Sequence, residues 1–590
     1  MYVVATAGHV DHGKSTLVRA LTEMDPDRWE EEKRRGLTID LGFAWTTLPS
    51  GADVAFVDVP GHEKFLGNML AGVGPAPVVL FVVAADEGWQ AQSTDHRDAL
   101  RALGVEHGII ALTRSDRATV DRTAEIRTQL AGTPLADAPI IPVSAPTGDG
   151  IAALRQALDE VLAAVPVPDA QAPVRLWVDR AFSVKGAGTV VTGTLAAGTL
   201  RVGDSLKVAT ASGERDVEVR GLHSENRAQD SLGPVTRAAV NLRGADAADI
   251  HRGDVLLTPS AWRLVDHLDV RRTFGAELDG LPDNLVVHTG TAGVEAHLRP
   301  LSADFARISL AHPLPLQLLD RFVVRSPGGR HVVTGVEAVD LRPPELNRRG
   351  DARRRAEELS AQNSFRDPAS YLRRVGFARV DELARDGFTT AAPPQGIIAF
   401  RDWWIAASQV TRWKHALTDA LHAHTAAHPL APGMPRKAAM DALGLQEEGL
   451  LGLAIAAAKA ESSEGVLRLP GQRADLGAAE RGIAAIEERL KAEPFVAPEA
   501  DDLTELGLGP KELAAAERAG RLLRLKQGIV LLPSAPEEAR RRLAGLEQPF
   551  TLSAARQALG TTRRVAIPLL EYLDAQRITR RGDGGQRTLR

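Results

Sequence analysis

Apolar runs alternate with helical stretches along the first part of the chain. The runs cover residues 2–7, 53–58, 78–84, 108–113 and 139–143. Short buried strands that alternate with helices predict a doubly wound α/β domain, whose functional loops lie at the carboxyl ends of the strands. We therefore expect one such domain over residues 1–168, followed by a Pro-rich linker that ends near residue 173.

Hydrophobic positions then recur with a period of two residues. Leu206 and Val208, for example, share one strand face with a polar residue between them, and glycine-containing turns separate such runs. This pattern is typical of antiparallel sheet with one buried face. We predict two small β-barrels, over residues 173–260 and 263–343.

The region 350–590 is richer in Ala, Leu and Arg, and its helical stretches are interrupted by short apolar runs. A Leu-Gly pair at 443–444 and another at 506–507 each have an apolar run that starts 22 residues after the glycine. Two helices followed by a hairpin, repeated along the chain, predict tandem winged helices, the last unit over about 536–590. The alternative is a generic α-solenoid or an irregular helical domain.

A glycine-rich loop follows the first apolar run and precedes a helical stretch. Its sequence, Gly-His-Val-Asp-His-Gly-Lys-Ser, matches the GxxxxGK[ST] pattern, whose backbone N–H groups cradle phosphates at a helix N-terminus. Lys14 supplies a charge for the β- and γ-phosphates, and the Ser15 hydroxyl is a Mg²⁺ ligand. The residues expected to contact the nucleotide here are Gly8, His9, Val10, Asp11, His12, Gly13, Lys14, Ser15 and Thr16.

Two further segments complete a phosphate and magnesium site. Asp58 and Gly61 follow an apolar strand, which places the carboxylate behind the Mg²⁺ ligands and lets a glycine N–H approach the γ-phosphate. Thr38 lies between the two phosphate loops, and its hydroxyl is expected to ligate Mg²⁺ only while a γ-phosphate holds the loop.

The segments that would bind the base come next, each after its own strand. In Thr113-Arg114-Ser115-Asp116, the Asp116 carboxylate can accept hydrogen bonds from the N1–H and the 2-amino group of guanine, which adenine does not offer. Ser144 and Ala145 would present a backbone N–H to the guanine O6. Five motifs in this order predict a GTPase with GTP or GDP and Mg²⁺ as its cofactors.

The chain resembles the translational GTPases and, more closely, the selenocysteine-specific elongation factors. The segments that carry the resemblance are 5–16, 31–44, 58–74 and 179–194. The Ile-Asp-Leu-Gly sequence after Thr38, together with Asp179-Arg180-Ala181-Phe182, is typical of the selenocysteine branch. One departure is Arg114, where the family usually has lysine; the stem of either residue can pack over the base.

This resemblance implies GTP-dependent delivery of selenocysteyl-tRNA to the ribosome at recoded UGA codons. It also implies that the C-terminal winged helices tether the factor to a hairpin in the selenoprotein mRNA. His62 matches the histidine that orients the attacking water, and Val10 and Leu37 match the apolar pair that gates it. The simpler interpretation of His62 is a residue retained for loop packing.

Two arginines match the amino-acid pocket of the family. A selenol is more acidic than a thiol, whose reference pKa is about 8.5, so selenocysteine is largely an anion at neutral pH. Guanidinium groups at Arg180 and Arg237 would select that anion over serine, and Asp40 would help to orient them. The alternative for each is an ordinary ion pair on the barrel surface.

The last forty residues, 551–590, hold eight arginines against three acidic residues. We expect Arg563 and Arg564 at the start of a recognition helix, Tyr572 further along it, and Arg580 and Arg581 at the wing. Arginine suits RNA because it forks to phosphates and stacks on exposed bases. The alternative is a solvated charged face.

Composition narrows the class of protein further. The 590 residues carry a formal net charge of −5, so nucleic-acid binding has to come from a local patch. The absence of cysteine excludes disulfides and thiolate metal sites. No apolar run approaches the roughly 18 residues of a membrane span. We expect a monomeric cytoplasmic protein with no membrane partner.

Two rival functions stay open at this point. A general tRNA-carrying or initiation-type GTPase would need neither the two pocket arginines nor the long C-terminal extension. A GTP-switched regulator with DNA-binding winged helices would read a duplex in its major groove and would have no use for a pair of barrels.

Overall fold

The computed structural model describes residues 2–26, 38, 40–329, 331–428, 430–431, 433–463, 465–471 and 476–590. The chain divides into two compact units. The first comprises Met1–Tyr371, Ala378–Gln395 and Arg401–Trp403, and the second comprises Leu372–Phe377, Gly396–Phe400 and Trp404–Arg590.

The first unit begins with the predicted α/β domain. Its strands are β1 Tyr2–Ala7, β2 Gly42–Thr47, β3 Asp53–Asp58, β4 Val78–Ala84, β5 His107–Thr113 and β6 Ile140–Pro142. They form one sheet in the order β2-β3-β1-β4-β5-β6, parallel except for the antiparallel edge strand β2. The helices are α1 Lys14–Thr22, α2 Leu66–Val73, α3 Ala91–Leu103, α4 Thr123–Leu130 and α5 Ile151–Ala164.

The inner strands β1, β3, β4 and β5 are nearly continuous apolar runs, and their side chains are buried on both faces of the sheet. One cluster includes Phe81 and Leu66, and the other includes Phe56 and Leu17. The loops after β1, β3, β5 and β6 therefore meet at the carboxyl edge of the sheet, which is where the predicted nucleotide motifs lie.

A first barrel follows, as the alternating pattern predicts. Its strands are β7 Arg175–Val184, β8 Gly188–Leu195, β9 Leu200–Arg201, β10 Ser205–Thr210, β11 Gly213–Ser224, β12 Arg227–Gln229, β13 Ser231–Leu232, β14 Thr236–Arg243 and β15 Val255–Leu257. The main sheet runs β10-β15-β7-β8-β14-β11-β12, and β10 also pairs with β11, so the sheet closes on itself. Closure leaves little free edge.

The second barrel is closed as well. Its strands are β16 Arg263–Gly275, β17 Asn284–Thr289, β18 Ala292–Pro300, β19 Phe305–Leu316, β20 Arg321–Arg325 and β21 Thr334–Asp340, in the order β16-β19-β18-β17-β20-β21. Inward positions alternate along β18, where Val294, Ala296 and Leu298 are buried. Both predicted barrels are therefore present.

The chain then becomes helical, but its first helix packs against the second barrel. This helix is α6 Asp351–Ser360. Its Arg355 is only 3% exposed and donates from Nε to Asp269 Oδ2 at 2.8 Å, with Asp340 and Glu358 as further carboxylate partners. A buried arginine with this many acceptors fixes the helix to the barrel. The chain consequently passes from the first unit to the second between Tyr371 and Trp404, after the change of composition near residue 350.

The remaining elements repeat two helices and a small antiparallel sheet. The helices are α7 Pro368–Val375, α8 Val380–Asp386, α9 Ala407–Ala427, α10 Arg436–Leu443, α11 Glu448–Ala458, α12 Glu480–Ala492, α13 Ala500–Glu505, α14 Pro510–Arg518, α15 Ala535–Leu543, α16 Leu552–Leu559 and α17 Arg563–Ala575. The strands are β22 Phe377–Arg379, β23 Ile397–Phe400, β24 Trp403–Ala406, β25 Met434–Pro435, β26 Glu461–Ser463, β27 Val466–Arg468, β28 Leu523–Arg524, β29 Val530–Leu531, β30 Thr579–Arg581 and β31 Arg587–Leu589.

Three successive helix pairs, α10–α11, α13–α14 and α16–α17, are each followed by a hairpin, which is the arrangement that the repeated spacing predicts. The last two share one continuous apolar core that extends from Leu476 to Leu573. None of the described helices is both long enough and apolar enough to cross a membrane.

Candidate functional site

The loop between β1 and α1 has the backbone that a phosphate-binding loop needs. Gly8 has φ +126°, and a Cβ there would lie 2.1 Å from the carbonyl oxygen of Val82, so only glycine fits. Gly13 and Asp11 also have positive φ, which turns the chain tightly into α1. Gly8, His12 and Lys14 are buried, His9, Val10, Gly13 and Ser15 are half-buried, and Asp11 and Thr16 are exposed. The loop therefore packs closely against β4, because Gly8 has no side chain that would clash with Val82.

Lys14 spans this loop. Its ammonium donates hydrogen bonds to the carbonyls of Gly8 at 3.0 Å and His9 at 2.7 Å. Burial lowers the pKa of Lys14 to about 8, against the nearby carboxylates of Asp58 and Asp11, which raise it. The side chain therefore stays mostly protonated at neutral pH and carries its charge into the loop.

The three predicted magnesium residues converge beside Lys14. Ser15 Oγ lies 2.9 Å from Thr38 Oγ1 and donates to Asp58 Oδ2 at 2.6 Å. Asp58 is fully buried, and its other oxygen accepts from Thr6 Oγ1 at 2.8 Å. Two hydroxyls backed by one carboxylate are oxygen donors of the kind that Mg²⁺ prefers, so the residues present fit the ion.

The loop after β3 brings His62 to the phosphate loop. A Cβ on Gly61 would lie 2.3 Å from Lys14 Nζ and 2.6 Å from Val10 N, so this glycine permits a close approach. His62 precedes a short 3₁₀ turn, and its Nδ1 accepts from the Lys64 N–H at 3.2 Å. This hydrogen bond uses Nδ1, so Nε2 is the ring nitrogen that could contact a water molecule. Leu37, the predicted partner of Val10, lies outside the described residues.

Two side chains that the sequence motifs do not reveal also hold the phosphate loop. His96 Nδ1 accepts from the Gly8 N–H, and Gln92 Oε1 accepts from the Val10 N–H, both at 3.0 Å. Burial lowers the pKa of His96 well below its usual value, so the ring is neutral and can accept. In the sequence, only their spacing of four residues could have indicated that these two side chains act together, because it places both on one face of α3.

The guanine motif is tied to the same loop. Thr113 Oγ1 donates to the His12 carbonyl at 2.7 Å, and Arg114 donates to the Asp11 carbonyl. The Arg114 guanidinium also donates to Glu87 at 2.6 Å and lies 3.2 Å from Asp86. Burial lowers the pKa of His12 to about 3, so its ring stays neutral beneath these contacts.

The strand ends place the remaining base-binding residues beside Arg114. Asp116 follows in a 3₁₀ turn and is partly exposed, while Ser144 is buried and Ala145 is half-buried at the end of β6. The Ser115 N–H donates to the Val143 carbonyl at 3.1 Å, which ties the Asp116 turn to the segment that carries Ser144. The predicted base-binding residues are thus brought together.

The two predicted pocket arginines lie together against a phenylalanine. The guanidinium carbon of Arg237 is 4.0 Å from the centre of the Phe43 ring, and that of Arg180 is 4.9 Å from it. These three side chains line a cavity of about 380 Å³, whose wall also includes Thr192 and His223. Phe43 belongs to the α/β domain and the arginines belong to the first barrel, so both domains form this cavity.

Each arginine has a carboxylate partner. Arg237 makes a two-pronged ion pair with Asp179, whose side chain is only 6% exposed. Arg180 lies 3.4 Å from Asp40 and donates to the Leu41 carbonyl. Burial raises the pKa of Asp40, but hydrogen bonding and attraction from Arg252 and Arg180 outweigh it, so the pKa lies below its usual value. The cavity is therefore built around charged groups, and both arginines lie on strands of the first barrel.

The predicted RNA residues divide into two groups. Arg563, Arg580 and Arg581 are exposed, on α17 and on the final hairpin. Arg564 instead donates to the Ala497 carbonyl at 3.0 Å and pairs with Glu499 at 2.9 Å. Tyr572 packs against the shared apolar core. In this structure Arg564 and Tyr572 hold neighbouring elements together, because their side chains meet tertiary partners that the local sequence does not reveal.

Four family profiles match consecutive parts of the chain. They are described as the elongation factor Tu GTP binding domain over residues 1–164 and elongation factor Tu domain 2 over 188–257. The other two are the selenocysteine-specific elongation factor beta-barrel domain over 281–345 and the elongation factor SelB winged helix over 541–588. The last match confirms a winged helix at the C-terminus.

Individual relatives are similar over nearly the whole chain. The chain is 34% identical to the selenocysteine-specific elongation factor of Escherichia coli (strain K12), covering 98% of this chain and 97% of that protein. It is 31% identical to the selenocysteine-specific elongation factor of Desulfomicrobium baculatum, covering 99% of each. A crystal structure of bacterial selenocysteine-specific elongation factor EF-Sec is 26% identical, with a TM-score of 0.76 over 100% of this chain and 99% of that one. The chain belongs to the selenocysteine-specific elongation factors, a family of translational GTPases.

Proposed function

We propose that this protein carries selenocysteyl-tRNA to the ribosome at recoded UGA codons, in a GTP-dependent manner. The observation that carries the proposal is the cavity in which Arg180 and Arg237 lie against Phe43. Guanidinium groups held on barrel strands by ion pairs suit an anionic selenolate and leave neutral serine with no matching partner. Membership of the family supports the same function over a general tRNA carrier or a DNA-binding regulator.

GTP binding would use the loop residues and the base motif described above. The backbone of residues 8–13 and Lys14 would hold the β- and γ-phosphates, and Asp116 would select guanine. The Ser15 and Thr38 hydroxyls would hold Mg²⁺, with Asp58 behind them, and the ion would neutralise charge on the phosphates. Arg114, held between the Asp11 carbonyl and Glu87, would cover the base in place of the family's lysine.

Hydrolysis would depend on His62. Because its Nδ1 accepts from the Lys64 N–H, the Nε2 edge of the ring would be the one that orients a water molecule. Phosphoryl transfer passes through a loose transition state, so placing the water and stabilising charge are the protein's main contributions. We infer that the ribosome moves His62 into its working position.

The C-terminal region would bind a hairpin in the selenoprotein mRNA. Arg563, Arg580 and Arg581 offer exposed guanidinium groups on the last winged helix. An A-form major groove is too narrow for a recognition helix, so loop bases and phosphates would be the contacted groups. The protein would act as a monomer in the cytoplasm, where ribosomes and this mRNA are found.

The proposal is tested by measuring binding of one tRNA that carries either selenocysteine or serine. With a non-hydrolysable GTP analogue, the selenocysteine form should bind about tenfold more tightly than the serine form, or better. A tenfold difference in affinity corresponds to one charge-assisted contact. With GDP, both forms should bind weakly. Equal binding of the two aminoacyl groups in the GTP form would overturn the proposed selection.

A further inference from the structure

Arg252, which none of the sequence motifs includes, connects three separate segments of the first unit. Its Nη2 donates to Asp40 Oδ1 at 2.6 Å, and its Nη1 donates to Asn68 Oδ1 at 2.8 Å. Its Nε donates to the backbone carbonyl of Asp179 at 3.1 Å. All three nitrogens of the guanidinium group are therefore engaged. Arg252 lies just before β15 in the first barrel, and two of its three partners belong to the α/β domain.

The two partners in the α/β domain belong to the parts that would respond to the nucleotide. Asp40 follows Thr38 by two residues, and Thr38 lies 2.9 Å from Ser15 in the predicted magnesium site. Asn68 lies on α2, the helix that follows Gly61 and His62. One guanidinium group thus contacts both of the segments that are predicted to respond to the γ-phosphate.

The third partner belongs to the amino-acid cavity. The carboxylate of Asp179 holds Arg237 by two hydrogen bonds, while its carbonyl accepts from Arg252. Asp40 reaches the cavity as well, because its second oxygen lies 3.4 Å from Arg180. Arg252 is therefore linked to Arg180 through Asp40 and to Arg237 through Asp179.

We propose that Arg252 is a positioning residue that makes the selenocysteine cavity depend on the bound nucleotide. When the γ-phosphate orders the segments of Thr38 and Gly61, Asp40 and Asn68 lie where one planar guanidinium can bind both. When the γ-phosphate is lost and these segments move, Arg252 loses the acceptors on Asp40 and Asn68. Its guanidinium group is then held only by the Asp179 carbonyl, so the support for Asp179 and Asp40 weakens and the cavity loosens. The inference rests on the proposed function.

The chemistry requires arginine at this position. A guanidinium group presents its donors in a fixed plane, so three acceptors can be bound at once without rotation of the group. A lysine ammonium keeps the charge but is a compact point donor on a flexible stem, and it cannot span acceptors on three segments. Arg252→Lys therefore removes the connection and preserves the charge.

The experiment measures the affinity of the full chain for selenocysteyl-tRNA with a GTP analogue and with GDP. The ratio of the two dissociation constants is the coupling between nucleotide and aminoacyl-tRNA. We expect Arg252→Lys and Asn68→Ala each to reduce this ratio by about fivefold or more, the lower end of typical coupling effects. The loss should arise mainly from weaker binding in the GTP form. By reciprocity, selenocysteyl-tRNA should also enhance binding of the GTP analogue less strongly.

Arg175→Ala is the matched control. Arg175 donates to Asp320 at 2.5 and 2.9 Å and to the Pro315 carbonyl at 3.0 Å, so it joins the two barrels without contact to either nucleotide-responsive segment. Its side chain is 21% exposed, close to the 28% of Arg252. This variant should change thermal stability and leave the ratio unaltered.

The outcomes separate this inference from the proposed function. If Arg252→Lys and Asn68→Ala weaken tRNA binding equally with both nucleotides, or leave the ratio at its wild-type value, Arg252 serves only to pack the barrel and the inference is wrong. If the wild-type chain shows no preference of selenocysteyl-tRNA for the GTP form, the proposed function itself fails. Asn68→Ala removes one hydrogen bond from a half-buried position, so it keeps the test valid if Arg252→Lys does not fold.

Discussion

Arg180→Ala should abolish most of the preference for selenocysteine over serine without unfolding the protein. The side chain lies 3.4 Å from Asp40 and donates to the Leu41 carbonyl, and Asp40 keeps its 2.6 Å hydrogen bond to Arg252 after the change. No buried carboxylate is therefore left without a cationic partner, and the free energy of unfolding should fall by only about 1 kcal/mol.

The effect on binding should be larger and specific to the aminoacyl group. A hydrogen bond to a charged group is worth about 1.5–3 kcal/mol, so the affinity for selenocysteyl-tRNA should fall by roughly 10- to 150-fold. The serine form offers no anion to Arg180 and should lose little. The measurement is titration of labelled tRNA carrying each amino acid, with a GTP analogue present. Equal losses for both forms would refute the assignment of Arg180 to the amino-acid cavity.

Arg237 gives a useful contrast, because Asp179 is 6% exposed and depends on Arg237 for a two-pronged ion pair. Removal of one member of a buried pair costs about 3–5 kcal/mol, so Arg237→Ala should destabilise the barrel far more than Arg180→Ala. The double variant Arg237→Ala with Asp179→Ala should recover part of that loss. Thermal or denaturant unfolding measures the stability of Arg180→Ala, Arg237→Ala and the double variant. If Arg237→Ala proves no less stable than Arg180→Ala, the buried ion pair is not formed.

Three further predictions follow from the geometry. His62→Ala should keep GTP affinity while ribosome-stimulated hydrolysis falls by orders of magnitude, whereas Lys14→Ala should lose nucleotide binding; normal stimulated turnover in the His62 variant would exclude this histidine from catalysis. His96→Leu should weaken binding of GTP and GDP by about fivefold in a fluorescent-nucleotide titration. His96→Asn keeps an acceptor near the position of Nδ1 and should recover much of the lost affinity. Equal affinities for the two variants would show that His96 does not act as an acceptor. Arg563→Ala should weaken binding of the mRNA hairpin and lower its salt dependence, measured by RNA titration at several salt concentrations, whereas Arg564→Ala should mainly lower the melting temperature; the reverse pattern would show that Arg564 is the RNA contact.

Local sequence motifs predicted the parts of this protein whose chemistry depends on neighbouring residues. The phosphate loop between β1 and α1 is one example, since its glycines, Lys14 and Ser15 act within one strand–turn–helix unit. The α/β domain and the two barrels were likewise predicted, because the change from continuous apolar runs to a period of two is a direct consequence of which strand faces are buried. The family resemblance added the assignment of Arg180 and Arg237.

Contacts between distant segments could not be predicted in this way. Nothing near Arg252 in the sequence indicates that it contacts Asp40 and Asn68, which lie more than 180 residues earlier in the chain. Arg564 stands beside Arg563 in the sequence, yet α17 turns it towards Glu499, and this alone distinguishes it from its exposed neighbour. Arg355 shows the same limit, because a polar helical sequence gave no sign of its buried carboxylate partners on the second barrel.

Delivery of selenocysteine to the ribosome at UGA is tested most directly by formation of a dipeptide. The ribosomes are programmed with an initiation codon, a UGA codon and the selenoprotein hairpin. With the chain, GTP and selenocysteyl-tRNA present, the dipeptide should form rapidly, and it should fail to form with a non-hydrolysable GTP analogue or when the same tRNA carries serine. Equally fast incorporation of serine, or incorporation of selenocysteine at an unchanged rate without the protein, would contradict the account.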